Sequence, residues 1–219
     1  MTDVTVCTPT FPGREDLLRR ATTSVQQQSY PCHVSVYMDE DGAGAAPTRN
    51  AAWRQAETEW VAFLDDDDTL RPDHVELCRR HADETGADLV YPWFNISDNG
   101  GNDISDRDPL SVPVDGRYVS PYGVAFNEDL RRELMTRNNF IPVTVLVRRA
   151  LLAEVDGFPL PGTPEWGDDC CEDWGLWRRL LRAGARFEHL PRRTWTWYWH
   201  GHNTSGRPWN GRRVERYRG

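Results

Sequence analysis

The N-terminal part of the chain alternates between short apolar segments and segments with apolar residues at helical spacing. Residues 3–9 and 33–38 have the composition of buried strands, and Leu18, Ala21 and Val25 place apolar groups on one face of a helix between them. A strand, helix, strand repeat favours parallel strands, because the helix returns the chain to the same edge of the sheet. The sequence therefore predicts an α/β fold with a mostly parallel central sheet flanked by helices.

The same periodicity extends along the chain and predicts one domain over residues 1–219. Strands are expected over 3–9, 33–38, 60–64, 87–91, 141–147 and 194–199, and helices over 14–28, 48–57, 72–84, 149–155 and 172–183. Residues 95–140 are rich in Asn, Asp, Gly and Pro and lack periodicity, so we expect long loops there. Residues 157–171 are also expected to form a loop.

Charge and composition exclude several classes of function. The formal net charge is -8 and the pI about 5.3, which argues against general nucleic-acid binding, since phosphate contacts require a basic face. All 26 cationic residues are Arg, because the chain contains no Lys. A Schiff-base lysine and a P-loop lysine are therefore both excluded.

The location of the protein is predicted from what the sequence lacks. No segment approaches the roughly 20 apolar residues of a membrane helix, and the N-terminus lacks the basic start and apolar run of a secretory signal. The five Cys residues form no CxxC pair, which favours reduced, mostly buried thiols. We expect a soluble cytoplasmic protein.

Four consecutive aspartates follow the apolar segment WVAFL. Asp65 to Asp68 place like charges side by side, which is costly unless a cation or hydrogen-bond donors offset the repulsion. Mg²⁺ and Mn²⁺ prefer oxygen ligands and need few protein carboxylates when a substrate supplies phosphates. The run predicts a divalent metal site, and the alternative is a solvated acidic turn before Pro72.

The same run also fits a rival enzymatic pattern. Asp65, Asp67 and Thr69 match D-x-D-x-T, which resembles the nucleophile loop of haloacid-dehalogenase-like phosphatases. Two features argue against that function: the loop follows the third predicted strand instead of an N-terminal one, and the downstream Lys of those enzymes is absent.

Several motifs along the chain together resemble family 2 glycosyltransferases of the GT-A fold. The segments are VTVCTPTFPGREDLL, the strand that ends at Asp39, TRNAAWRQAETEWVAFLDDDDTLRPDH, LLAEVDGF, CCEDWGLWRRLLRAG and YWHGHNTSG. They occur in the family's order over nearly the whole chain. The resemblance implies a nucleotide-sugar-binding half over residues 1–92 and an acceptor-side, catalytic-base half over residues 93–219.

The resemblance also implies roles for individual residues. Asp65 and Asp67 take the DxD positions, and Asp67 is the metal ligand with His200 as a second ligand and His202 as its competitor. Residues implied to bind the nucleotide-sugar donor are Thr8, Pro9, Thr10, Asp39, Arg49, Asp65 and Asp66. The stretch DEDGAG departs from the family pattern, so Asp41 competes with Asp39 for reading the base.

The catalytic base is implied by the second half of the chain. Asp173 matches the acid of the family's ED motif, at the start of a helix whose dipole stabilises a carboxylate. The alternative is that Glu172 and Asp173 only supply helix-terminal charge. Trp166, in the preceding loop, is the candidate for stacking on the acceptor, whereas Trp195, Trp197 and Trp199 are expected to pack in the core.

The implied activity is inverting transfer of a sugar from a nucleoside-diphosphate sugar, expected to be a UDP-sugar, to an acceptor hydroxyl. The implied cofactor is Mn²⁺ or Mg²⁺. The residues do not identify the sugar or the acceptor. A function of another class also stays open, namely a non-catalytic protein that keeps the fold and binds a sugar or nucleotide.

Overall fold

One seven-stranded sheet organises the chain. The computed structural model describes residues 2–163 and 171–200. Its strands are β1 (Val4–Thr10), β2 (His33–Met38), β3 (Trp60–Phe63), β4 (Thr69–Leu70), β5 (Leu89–Asp98), β6 (Val112–Val114), β7 (Arg117–Val119), β8 (Leu146–Arg148) and β9 (Phe187–Trp199). Its helices are α1 (Glu15–Gln26), α2 (Ala45–Arg54), α3 (His74–Thr85), α4 (Glu128–Thr136), α5 (Arg149–Glu154) and α6 (Glu172–Arg182).

The strand order confirms the predicted fold class. The sheet runs β2-β1-β3-β8-β5-β9-β4, and β6 and β7 form a separate two-stranded hairpin. β2, β1, β3, β5 and β9 point in one direction, whereas β8 and β4 are antiparallel to their neighbours. The sheet is therefore mostly parallel, and the carboxyl ends of its five parallel strands meet at one edge.

Helices cover both faces of the sheet and bury two hydrophobic clusters. Successive residues of a strand point to opposite faces, so Val6 packs in one cluster with α1 and α3 while Cys7 packs in the other with α2 and α6. Trp177 of α6 is fully buried. Trp195 is buried and Trp197 and Trp199 pack beside it in the first of these clusters, as predicted.

The prediction of long loops over residues 95–140 was wrong. β5 continues to Asp98, a 3₁₀ turn spans Ser105–Arg107, and the β6–β7 hairpin and α4 follow. The short strands and the nine-residue helix carry too few apolar residues for a periodic signal; Leu130 and Leu134 anchor α4 in the core, and Met135 packs against the same cluster. The extension of β5 to Asp98 follows from its pairing with β9 over ten positions, whereas α4 depends on packing against the core.

The bounds of β8 and β9 also differ from the predicted ones. The strand expected over 141–147 is limited to β8, because residues 138–145 approach α6 in irregular conformation. β9 begins at Phe187, earlier than the predicted residue 194, because it pairs with the full length of β5.

Cys7, Cys32 and Cys78 are free thiols. Cys7 and Cys78 are buried and Cys32 is half-buried, whereas Cys171 is exposed, which the expectation of mostly buried thiols did not anticipate. Cys170 lies outside the described residues.

None of the helices in residues 2–163 and 171–200 combines the length and the apolar character that a membrane crossing requires. The cytoplasmic location stays a prediction.

A polar turn fixes α2 against the segment that follows α5. The Asn50 side chain donates to the Phe158 backbone oxygen at 2.8 Å and accepts the Phe158 backbone N–H at 2.9 Å. Gly157 adopts φ +68°, and a Cβ atom there would lie 2.2 Å from Asn50 Oδ1 and 2.7 Å from Trp53 Nε1. Only glycine allows this close approach of the backbone to α2.

We expect Gly157→Ala to destabilise the fold by roughly 2–5 kcal/mol, the sum of left-handed backbone strain and a steric clash. Gly162→Ala is the matched control, because Gly162 has φ +86° and a Cβ atom there would meet no neighbouring atom within 4 Å. The control should cost only roughly 1–2 kcal/mol. Urea unfolding of both variants measures the difference, and equal losses would contradict the role of the Asn50 contact.

Candidate functional site

The acidic run lies at the edge where the parallel strands end. Asp65 to Asp68 follow β3 directly and form a turn closed by the Asp68 backbone N–H and the Asp65 carbonyl at 3.1 Å. Asp66 and Asp68 are buried, and Asp65 and Asp67 are partly exposed. One carboxylate oxygen from each of Asp65, Asp67 and Asp68 lies within 4.8 Å of the others.

The electrostatics of this turn suit a cation. Burial raises the pKa of Asp65, as do the nearby charges of Asp67 and Asp66, and Arg49 opposes the shift. Burial raises the pKa of Asp68 strongly, as do the charges of Asp67 and Asp65. Oxygen ligands held together under mutual repulsion fit Mg²⁺ or Mn²⁺, which prefer such donors. Sequence reasoning did not single out Asp68 as a ligand.

β9 brings a histidine to this acidic turn. His200 Nε2 lies 3.0 Å from Asp67 Oδ2, directly after the end of β9. The position of β9 relative to the acidic turn is fixed two residues before His200, because Asp68 Oδ1 accepts the Tyr198 backbone N–H at 3.0 Å. His200 is therefore placed where it can share a cation with Asp67. His202 lies outside the described residues.

Arg14, just before α1, contacts two of the aspartates. Its guanidinium forms two hydrogen bonds with Asp66, at 2.6 and 2.8 Å, and one with Asp67 at 2.7 Å. Thr10 Oγ1 also donates to Asp66, at 2.6 Å. Asp66 thus ties the acidic turn to β1 and α1 through both carboxylate oxygens. The sequence signal for Arg14 was its position at a helix start behind a Pro-Gly turn.

Arg49 of α2 joins the acidic turn to α6. Its Nη2 donates to Asp65 Oδ1 at 2.7 Å, and its Nη1 pairs with Glu172 Oε1. The Arg49 side chain is buried, and the three charges hold one another in place where water is largely excluded. The first half of the chain and the ED segment therefore meet in one site.

Asp173 lies at the start of α6, beside this ion-pair network. Its Oδ1 accepts the Trp174 backbone N–H at 2.7 Å and the Asn139 side-chain N–H at 3.1 Å. Burial, and then the charge of Glu172, raise the pKa of Asp173 to about 7, against the opposing effect of Arg49 and both hydrogen bonds. A carboxylate in this state can accept a proton near neutral pH. Asn139 was not anticipated from the sequence.

The residues expected to line the donor base sit at the ends of β1 and β2. Pro9 is half-buried, whereas Thr8 and Thr10 are buried within the sheet. Asp39 accepts the Ala43 and Gly44 backbone N–H groups at 2.7 and 2.8 Å, and these bonds lower its pKa. Asp41 is exposed in the same turn. Trp166 lies outside the described residues.

A family model and several relatives match this architecture. Residues 23–155 match the model described as glycosyl transferase family 2, which is more than half of the chain. The chain belongs to glycosyl transferase family 2. It is therefore a glycosyltransferase domain, and the phosphatase alternative is not supported.

Two relatives of this family-2 chain match it over most of its length. A pre-mycofactocin glycosyltransferase of Mycobacterium tuberculosis is 27% identical over 84% of this chain and 35% of its own length. The succinoglycan biosynthesis protein ExoO of Rhizobium meliloti is 25% identical over 67% of this chain and 44% of its own length. The chain thus spans less than half the length of these relatives.

Solved structures of TarS from S. aureus share the fold. The complex with UDP superposes with a TM-score of 0.64 at 21% identity, over 91% of this chain and 61% of that chain. The complex with UDP-GlcNAc gives a TM-score of 0.65 at 20% identity, over 93% of this chain and 60% of that chain. The likeness establishes the fold of the family-2 domain.

The raised pKa of Asp173 predicts a stability effect of defined sign. Its pKa is about 7 in the folded chain and about 3.9 in an unfolded chain. The folded state therefore binds the proton more tightly, and stability falls as the pH rises from about 4 to about 7. The side chain introduced by Asp173→Asn cannot ionise, so the stability of this variant does not fall with pH for this reason. Relative to wild type, the variant should gain on the order of 1–3 kcal/mol of unfolding free energy between pH 4 and pH 8.

Denaturant unfolding of both proteins at the two pH values measures this gain. Asp16→Asn is the control, since the Asp16 side chain is 87% exposed on α1. A constant difference between Asp173→Asn and wild type across the pH range would show that Asp173 ionises normally.

Proposed function

We propose that this domain catalyses inverting, metal-dependent transfer of a sugar from a nucleoside-diphosphate sugar to an acceptor hydroxyl. One observation carries the proposal: Arg49 binds Asp65 of the acidic cluster and Glu172, the neighbour of Asp173. The candidate metal site and a carboxylate able to accept a proton thus lie on either side of the buried Arg49 side chain. A single displacement requires two groups at separate positions, one to offset the charge of the leaving diphosphate and one to take the proton of the acceptor hydroxyl.

The acidic cluster supports the donor half of the proposal. Asp67 and His200 would hold Mn²⁺ or Mg²⁺, and Asp65 and Asp68 lie close enough to contribute. The bound metal would neutralise charge on the departing diphosphate. The residues proposed to bind the nucleotide-sugar donor are Thr8, Pro9, Thr10, Asp39, Asp65 and Asp66. Arg49 contributes by holding Asp65, since both of its terminal nitrogens pair with carboxylates.

Asp173 supports the acceptor half. The acceptor O–H bond breaks as its proton moves to the Asp173 carboxylate, and the oxygen forms its new bond to the anomeric carbon from the side opposite the leaving group. This displacement inverts the anomeric configuration. A pKa of about 7 suits a general base at neutral pH, because the group is then both ionised and basic.

Uridine is the proposed base of the donor. TarS, which shares the fold, has been solved with UDP and with UDP-GlcNAc. Its identity of 20% to this chain is too low to transfer the sugar, which the proposal leaves open. A non-catalytic nucleotide-binding protein would keep the acidic cluster without needing a carboxylate like Asp173.

The first prediction from this function concerns metal-dependent binding. UDP should bind markedly more tightly with Mn²⁺ than with EDTA, because the diphosphate otherwise meets an uncompensated acidic cluster. Asp67→Ala should weaken this binding more than Asp68→Ala, since Asp67 is partly exposed and lies beside His200, whereas Asp68 is buried and binds the Tyr198 backbone N–H. Isothermal titration calorimetry measures both, with Asp16→Ala as the control. Equal affinity in EDTA would refute the metal requirement.

The second prediction concerns Asp173. Asp173→Asn keeps the size of the side chain but removes the base, so transfer should fall by roughly 10²–10⁴-fold while UDP affinity stays unchanged. UDP release from a panel of UDP-sugars, with hydroxyl-bearing acceptors, measures transfer. Loss of UDP affinity in parallel with activity would assign Asp173 to donor binding instead.

A further inference from the structure

Asn139 lies in the segment between α4 and β8 and reaches the start of α6. Its Nδ2 donates to Asp173 Oδ1 at 3.1 Å. It comes from the part of the sequence that carries no periodic signal. This contact links that segment directly to the carboxylate that we propose as the base.

The orientation of the Asn139 amide is fixed by its own chain. Asn139 Oδ1 accepts the Ile141 backbone N–H at 3.3 Å, so the amide nitrogen must face Asp173. A flipped amide would lose the bond to Ile141 and direct an oxygen at a carboxylate. Asn139 therefore presents a donor to Asp173.

The backbone around Asn139 is held against α6. Phe140 and Ile141 are buried, and Trp177 Nε1 donates to the Ile141 carbonyl at 3.1 Å. The segment that carries Asn139 is thus packed against α6, the helix that carries Asp173. This packing holds the amide N–H group of Asn139 in place.

The two oxygens of Asp173 differ as a result. Oδ1 accepts hydrogen bonds from both Asn139 and the Trp174 backbone. Within residues 2–163 and 171–200, no donor is directed at Oδ2. Among the described residues, the charges that act on Asp173 are those of Glu172 on its own helix and of Arg49 from α2, and Arg49 also pairs with Asp65.

We propose that Asn139 is the positioning residue of the catalytic base: it engages Oδ1 of Asp173, fixes the carboxylate rotamer and leaves Oδ2 to take the acceptor proton. The inference rests on the proposed function. It assigns to the acceptor-side segment a direct part in preparing the base, separate from any contact with the acceptor.

The test compares Asn139→Leu with Asn138→Leu, a matched change at the neighbouring position. Both remove an amide of similar size, but only Asn139 donates to Asp173, whereas Asn138 donates to a backbone carbonyl. The first readout needs no activity: the ionisation midpoint of Asp173, followed by NMR of carboxyl-labelled protein. Removing a hydrogen-bond donor that stabilises the ionised carboxylate raises the pH of this midpoint. We expect the rise in Asn139→Leu and none in Asn138→Leu.

The second readout is transfer of sugar from the UDP-sugar panel. Asn139→Leu should lower kcat by up to about 10²-fold, the effect of misplacing a reacting group, and leave the donor KM unchanged. The acid limb of its pH–rate profile should move to higher pH. A conservative Asn139→Gln variant, which retains an amide donor, should recover part of kcat.

The outcomes separate the two proposals. If Asp173→Asn abolishes transfer while Asn139→Leu transfers normally with an unshifted midpoint, the positioning role is wrong and the proposed function stands. Full transfer by Asp173→Asn would overturn the proposed base and the inference with it. A shifted midpoint with reduced kcat in Asn139→Leu, absent from Asn138→Leu, supports the inference.

Discussion

The site depends on the ion pairs made by the buried guanidinium of Arg49. This guanidinium joins α2 to the turn after β3 through Asp65 and to α6 through Glu172. These partners are far apart in the chain, and a charge buried without them would be costly. The ion pairs therefore couple the formation of the acidic cluster to the docking of the helix that carries Asp173.

The acidic cluster concentrates more negative charge than the fold neutralises. Arg14 and Arg49 reach Asp65, Asp66 and Asp67, yet the pKa of Asp68 stays well above its ordinary value. Such residual repulsion is unfavourable for the folded chain alone. Under the proposed function, a cation and a diphosphate that enter together would offset this repulsion, and sites that bind ligands commonly trade stability in this way.

The sequence predicted what local patterns encode. The alternation of strands and helices determined the fold class, and the run of aspartates and the ED pair marked both halves of the site. The sequence did not reveal the contact of Asn139, which spans 34 positions, or those of Arg49, which span 16 and 123 positions, because such contacts have no periodicity. Residues 95–140 were misread for the same reason: β6, β7 and α4 are stabilised by packing that local composition does not show.

The antiparallel direction of β8 decides which loops reach the substrate edge of the sheet. Phe63 donates to the Val145 carbonyl at one end of β8, next to the acidic turn, whereas Arg149 donates to the Glu59 carbonyl at the opposite end. The segment before β8 thus opens onto the edge that carries the acidic turn, and α5 begins on the far side. Residues inserted ahead of β8 would extend the first edge, whereas residues inserted between β8 and α5 would extend the opposite one.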